Sequence, residues 1–181
     1  MSFATKQMLD AALPHILEAP KEASVVENLC FRPAFNEREF PQSITLMPDE
    51  GIVGDRWTKF PWMTLENGDP DPAIQVSILN IRVWQAVKTQ PDFIHPGDTF
   101  MADFDTSEAN CPKGTRLSVG TAILNVSGVF NEGCVKWQAR YGKDAGEWLS
   151  APEHRKYRLR GLLCSIEQGG TISNGDVVRK L

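Results

Sequence analysis

The chain has no apolar run approaching the length that spans a bilayer, for which about 20 consecutive apolar residues are needed. Its first residues, Met1-Ser2-Phe3-Ala4-Thr5-Lys6, do not set a basic segment ahead of an apolar one, so no secretory signal is expected. Cysteine and histidine are scarce, four and three in 181 residues. Cys30, Cys111, Cys134 and Cys164 lie far apart with no C-x-x-C pair, which excludes a zinc site of the usual spacing. The expectation is a cytoplasmic protein with four free thiols, most of them buried as small apolar groups. A basic surplus is also missing. Nineteen Lys and Arg face 23 Asp and Glu, for a net charge of -4, and the pI is about 5.4. That balance speaks against a nucleic-acid partner, and nothing points to a membrane. Repeats and low-complexity tracts are absent as well.

What is present fits a globular chain. Hydrophobic residues make up 41% and charged residues 23%, near the average for soluble domains. A chain of 181 residues can bury a core without disulfide staples. Residues 6–18 carry Met8, Leu9, Ala12, Ile16 and Leu17 at helical spacing. Pro14 is expected to kink or divide that helix. Residues 1–22 therefore read as an N-terminal helical arm docked on a body formed by residues 23–181.

From Ala23 the pattern turns to strands. Residues 24–31, 42–46 and 74–79 are candidates. Asn80 can cap a short helix bearing Ile81, Trp84 and Val87, stopped before Pro91. Strands follow at 98–104 and 121–130, with Val119-Gly120 as a tight turn. Cys134 to Tyr141 reads as a helix closed by Gly142. Two cap-x-x-Glu sequences begin at Asp144 and Ser150. Residues 160–167 are expected to pair with 171–173 around Gln168-Gly169-Gly170, and Asn174-Gly175 turns into a last strand. Many short strands, few helices and Gly-rich turns imply a mainly β fold, a closed or nearly closed barrel with a few short helices.

Cys134 is the sharpest candidate for chemistry. A thiolate is the competent nucleophile, sulfur acceptor and metal ligand. A position at a helix start favours negative charge there, and Lys136 adds to it, whereas Glu132 opposes it. The bland alternative is a buried, inert thiol, which is how Cys30, Cys111 and Cys164 read. Arg155-Lys156-Tyr157-Arg158-Leu159-Arg160 offers guanidinium groups to an anion. If extended, it places Lys156, Arg158 and Arg160 on one face. A solvated charged face is the commoner outcome for such runs, and Arg160 is the strongest of the set. Arg56 either belongs to a turn organised by Asp55 or lines a pocket with Cys134. His15, His95 and His154 have no partners at metal-ligand spacing and are expected to face solvent.

Several of these stretches, in order, resemble the MOSC family, named for the C-terminal domain of molybdenum-cofactor sulfurases. They are Gly51-Ile52-Val53-Gly54-Asp55-Arg56, Gln75-Val76-Ser77-Ile78, Pro96-Gly97-Asp98, Gly114-Thr115-Arg116-Leu117, Gly133-Cys134-Val135-Lys136, Arg160-Gly161-Leu162-Leu163-Cys164 and Gly175-Asp176-Val177. The resemblance covers roughly residues 23–181. It implies a pyruvate-kinase-like β-barrel. It also implies sulfur carriage or molybdenum-cofactor (molybdopterin) binding through Cys134, as catalytic group and metal ligand, with Arg56, Lys136, Arg158 and Arg160 on the anionic cofactor. Pyridoxal phosphate binding and reduction of N-hydroxylated compounds also belong to what the family implies. A separate sulfur donor or reductase protein would then be needed. The chain departs from the short members it most resembles: Asn131-Glu132-Gly133-Cys134 stands where they carry His-Thr-Gly-Cys. Residues 58–72 replace a basic, Gly-rich run of larger members and read as a surface loop. A non-catalytic module binding a small anion or pterin on the same barrel is the alternative.

Overall fold

A computed structural model describes residues 2–181, so Met1 lies outside the described residues. Helix α1 spans Lys6–Leu17, capped by the Thr5 hydroxyl, which accepts from the Met8 amide at 3.3 Å. Strands β1 (Ala23–Glu27), β2 (Ser43–Met47) and β3 (Gly51–Ile52) follow. Then come β4 (Val76–Asn80), helix α2 (Ile81–Val87), β5 (Phe100–Ala102), β6 (Arg116–Val119) and β7 (Ala122–Val126). Helices α3 (Val135–Tyr141) and α4 (Lys143–Ser150) precede β8 (Leu162–Gln168), β9 (Gly170–Ser173) and β10 (Val177–Lys180).

Seven strands close into a barrel in the order β1-β10-β6-β7-β8-β4-β5, with β5 returning to β1. All its ladders are antiparallel except β4–β5, which α2 joins as a crossover, the connection a parallel pair requires. The mainly β barrel with a few helices is therefore present. Alternation along the strands fills it. Leu117, Val119, Leu124, Val126, Ile78, Phe100 and Leu162 join one buried cluster. The residues between them on β4 and β5, Leu79 and Met101, belong to a second cluster outside the barrel wall. There they meet Trp84 of α2, Tyr141 of α3, Trp148 of α4 and Leu9 and Ile16 of α1. Both faces of β4 and β5 are thus buried, which explains why residues 74–79 read as nearly continuous apolar sequence.

Three expectations need correction. Pro14 does not divide the first helix, which runs unbroken from Lys6 to Leu17. The ring sits one turn from the C-terminus, so only the Asp10 carbonyl loses its partner. Residues 160–167 do not form a hairpin with 171–173. Strand β8 pairs with β7 and β4, while β9 leaves the barrel to pair with β2 in a three-stranded sheet. Gly170 makes that departure possible, since a side chain there would collide with the backbone of Thr121 and Ala122. Finally, residues 155–158 are not extended. Pro152 starts a 3-10 helix through Tyr157, and Arg158 ends it in the left-handed conformation, at φ 47° and ψ 51°. The alternation that put Lys156, Arg158 and Arg160 on one face is lost.

Candidate functional site

A cavity of about 1090 Å³ opens where four loops meet at one end of the barrel. The loop after β1 brings Arg32, Phe35 and Arg38. The loop before β4 brings Arg56, Lys59, Phe60 and Trp62. The chain from Phe130 into α3 brings Cys134, Lys136 and Arg140, and the approach to β8 brings Arg160. Its wall carries seven cationic side chains and three carboxylates, those of Glu37, Asp98 and Glu132. The chain as a whole has a net charge of -4, so the positive charge is concentrated here. Residues 58–72, expected to be a surface loop without assignable role, supply one wall. Thr64 bridges Pro70 to fold this loop on itself.

Cys134 sits at the N-cap of α3 and is exposed, whereas Cys30, Cys111 and Cys164 are buried. Its carbonyl accepts from the Trp137 amide at 2.8 Å, which starts the helix as the sequence pattern predicts. Lys136 lies beside it and holds its ammonium 5.8 Å from the centre of the Phe35 ring. Arg56 covers the same ring at 4.5 Å and donates to the Phe60 carbonyl at 3.1 Å. Phe35 is 54% exposed and stacks against Phe60 at 5.2 Å. The two readings of Arg56 both hold in part. Asp55 organises the turn, accepting from the Trp57 amide at 2.9 Å and the Arg32 amide at 2.8 Å, and Arg56 still reaches the cavity.

Arg160 lines the cavity too, but its charge is already balanced. Its Nη1 donates to both oxygens of Asp98, at 2.7 and 2.8 Å, and Asp98 is only 1% exposed. The guanidinium carbon lies over Trp137, 4.6 Å from the ring centre. A buried, doubly bonded pair of this kind is a scaffold that loses heavily when one partner is removed. Asn131 donates to the Arg160 carbonyl at 3.0 Å. It thus ties the segment leading to Cys134 to the start of β8. Arg158 does not reach the cavity: its Nη1 donates to the Cys111 carbonyl at 2.5 Å, and its other nitrogen faces Glu108 at 3.8 Å. The left-handed turn at Arg158 aims it at that loop, away from Cys134.

Four of the wall's cations escaped the sequence reading: Arg32, Arg38, Lys59 and Arg140. Arg38 and Arg140 lie in the wall, and neither forms an ion pair among the described residues. Arg140 was legible in principle, because it follows Lys136 by four residues on a helix and so shares its face. Arg38 sits between two acids in an irregular loop, and no periodicity marks it. Two of the histidines also depart from expectation. His154 is buried, with Nδ1 2.7 Å from the Trp148 carbonyl. Burial pushes His95 down to about 4, and its Nδ1 accepts from the Gly97 amide at 3.1 Å. Among the described residues, no group of three or more His, Cys, Asp or Glu could hold a metal ion, and no helix is long and apolar enough to cross a membrane.

No protein-family model matches the chain, and no curated protein matches it. Solved structures do. The crystal structure of the YuaD protein from Bacillus subtilis superposes with a TM-score of 0.56 at 16% identity, over 86% of this chain and 94% of that one. YiiM from Escherichia coli gives 0.56 at 14% identity, over 88% and 69%. YiiM from Geobacillus stearothermophilus gives 0.52 at 12% identity, over 87% and 73%. At these identities the likeness is one of fold.

Proposed function

We propose that this chain is a MOSC-type protein whose cavity holds an anionic cofactor or small molecule against Cys134, with the Cys134 thiolate as sulfur acceptor or metal ligand. The observation that carries the reading is one of position: the single exposed cysteine lies in the wall of the cation-rich cavity. The order of motifs in the sequence and the fold shared with YuaD and YiiM, both of MOSC type, support it. As a sulfur carrier, Cys134 attacks the outer sulfur of a donor persulfide. The donor's S–S bond breaks, its inner sulfur leaves as a thiolate, and Cys134 holds the persulfide. Cys30, Cys111 and Cys164 are unsuited to this, being buried.

The donor set also fits a molybdenum cofactor, within limits. Among the described residues no group of three or more His, Cys, Asp or Glu could cage a metal, so Cys134 would be the one thiolate ligand, and guanidinium groups would hold the anionic part. Such a cofactor would supply oxidation–reduction chemistry. Phe35, Phe60 and Trp62 would then flank the ring, and the cations would exclude competing cationic ligands. A non-catalytic binding module is the second reading. It is favoured by Asn131, which stands near Cys134 where a proton-carrying histidine would be and is committed to the Arg160 carbonyl. Molybdenum and pterin analysis of protein purified from its native host, with mass spectrometry of Cys134, separates the two. A persulfide on Cys134 or bound molybdenum supports the first reading. Neither, in protein that still binds anions, supports the second.

A further inference from the structure

The helices cover the outer side of β4 and β5 and leave that of β1 and β10 bare. Val25 and Val177 stand opposite each other across the β1–β10 ladder. They face outward, because their neighbours Val26 and Val178 belong to the core inside the barrel. Val25 is 48% exposed and Val177 41%. Beside them an open groove of about 610 Å³ is lined by Val25, Glu27, Asn28, Leu29, Asn174 and Phe40, and Phe40 is exposed as well.

Charge of opposite sign stands at the two ends of this apolar strip. Arg179 pairs in register with Ala23, two residues from Val177 and on the same side of the sheet. Glu27 lies two residues from Val25 in the other direction. Both are exposed, and neither forms an ion pair among the described residues. Glu27 is the one ionisable group in the groove. A carboxylate beside an aromatic ring suits a guanidinium, which takes the one in its fork and stacks on the other. The chain's own Arg179 lies four residues away along β1, about 13 Å at ~3.3 Å per residue, with the valines between.

We propose that a second copy of this chain covers the strip, in a two-fold pairing that brings Arg179 of each copy into the groove beside Glu27 of the other. A two-fold axis running across the strands lays the strip on its own reverse, so the surface must be complementary to itself. This one is. The valines meet valines, and each acid meets an arginine. The small Ala23 then stands opposite Glu27 and leaves it room. The strip is narrow, so the pairing is weak and depends on concentration. It does not rest on the reading of Cys134.

The test is sedimentation velocity of the full chain from about 1 μM to about 1 mM, the range in which small interfaces associate. The parent should pass from monomer to dimer as concentration rises. Glu27→Lys and Arg179→Glu should each weaken the pairing about tenfold or more, because like charges then face each other twice. An equimolar mixture of the two variants should recover the dimer, because every charge again meets its opposite. Val177→Asp should abolish it, whereas Met8→Asp, at an exposed apolar residue of α1, should leave it unchanged. The proposal is overturned if the parent stays monomeric throughout, or if the mixture of charge variants does. It is also overturned if either single variant pairs as tightly as the parent, which would assign the dimer to another face.

Discussion

At the scale of single residues, what surrounds each ionisable side chain decides its use. Burial pushes the Cys30 and Cys111 thiols up to about 12, and Cys164 upward as well, so these three remain protonated and inert. Cys134 is exposed and is the thiol free to react. His95 is the corresponding case for pH. Its folded value lies near 4 because burial disfavours the charged ring, against an ordinary value of about 6.5. The unfolded chain therefore binds the proton first as pH falls. The stability contributed by the neutral ring is complete above about 6.5 and is lost on the way down to about 4, by about 3 kcal/mol at most. Melting temperature followed from pH 7 to 4.5 should fall in the parent and fall less in His95→Asn, which can still accept the Gly97 amide. Gly161 makes a second prediction at this scale. It sits at φ +91°, and a Cβ there would collide with the Ile78 carbonyl. Gly161→Ala should destabilise by more than 1 kcal/mol, on the order of the strain such positions store, as denaturant unfolding would register.

At the scale of elements, the N-terminal helix and the last strands differ in how visible their roles were. The sequence pattern marked α1 as a helix but gave no measure of its burial. Leu9 is 0% exposed, and Asp10 accepts from the Trp148 indole at 3.1 Å. Leu9→Ala should cost about 2–5 kcal/mol; a loss under 1 kcal/mol in urea unfolding would mean that α1 is a loose arm. Strand β9 was expected to pair with β8, and β10 to follow from the turn at Asn174-Gly175. They instead serve two sheets, because Gly170 lets the chain cross to β2 before β10 inserts between β1 and β6. Truncation after Gln168 should abolish cooperative melting, since it opens the barrel along β1 and β6.

Across the whole molecule, the barrel followed from local pattern and the cavity did not. Alternation on β7, the Asn80 cap and the Gly120 turn are all encoded within a few residues, and each appears as the pattern predicts. The cavity is assembled from four separate loops. Within it, Cys134, Lys136, Arg56 and Arg160 were recognisable, because they lie in motif-like stretches. Arg38 was not, because no periodicity marks it in its irregular loop, and Arg140 showed only in its helical spacing from Lys136. Arg158 was misplaced by treating a 3-10 helix as extended chain. An acidic molecule with a basic cavity should draw anions in most strongly at low ionic strength.

The central claim is that Cys134 is the working thiol and opens onto this cavity. Limited alkylation of the native protein with iodoacetamide at neutral pH, read residue by residue by mass spectrometry, tests it most directly. The account predicts modification at Cys134 alone, slowed by inorganic phosphate as an anionic ligand, with Cys30, Cys111 and Cys164 labelled only after denaturation. A Cys134 that stays unmodified until the protein unfolds, or that reacts at the same rate with and without the ligand, would contradict it.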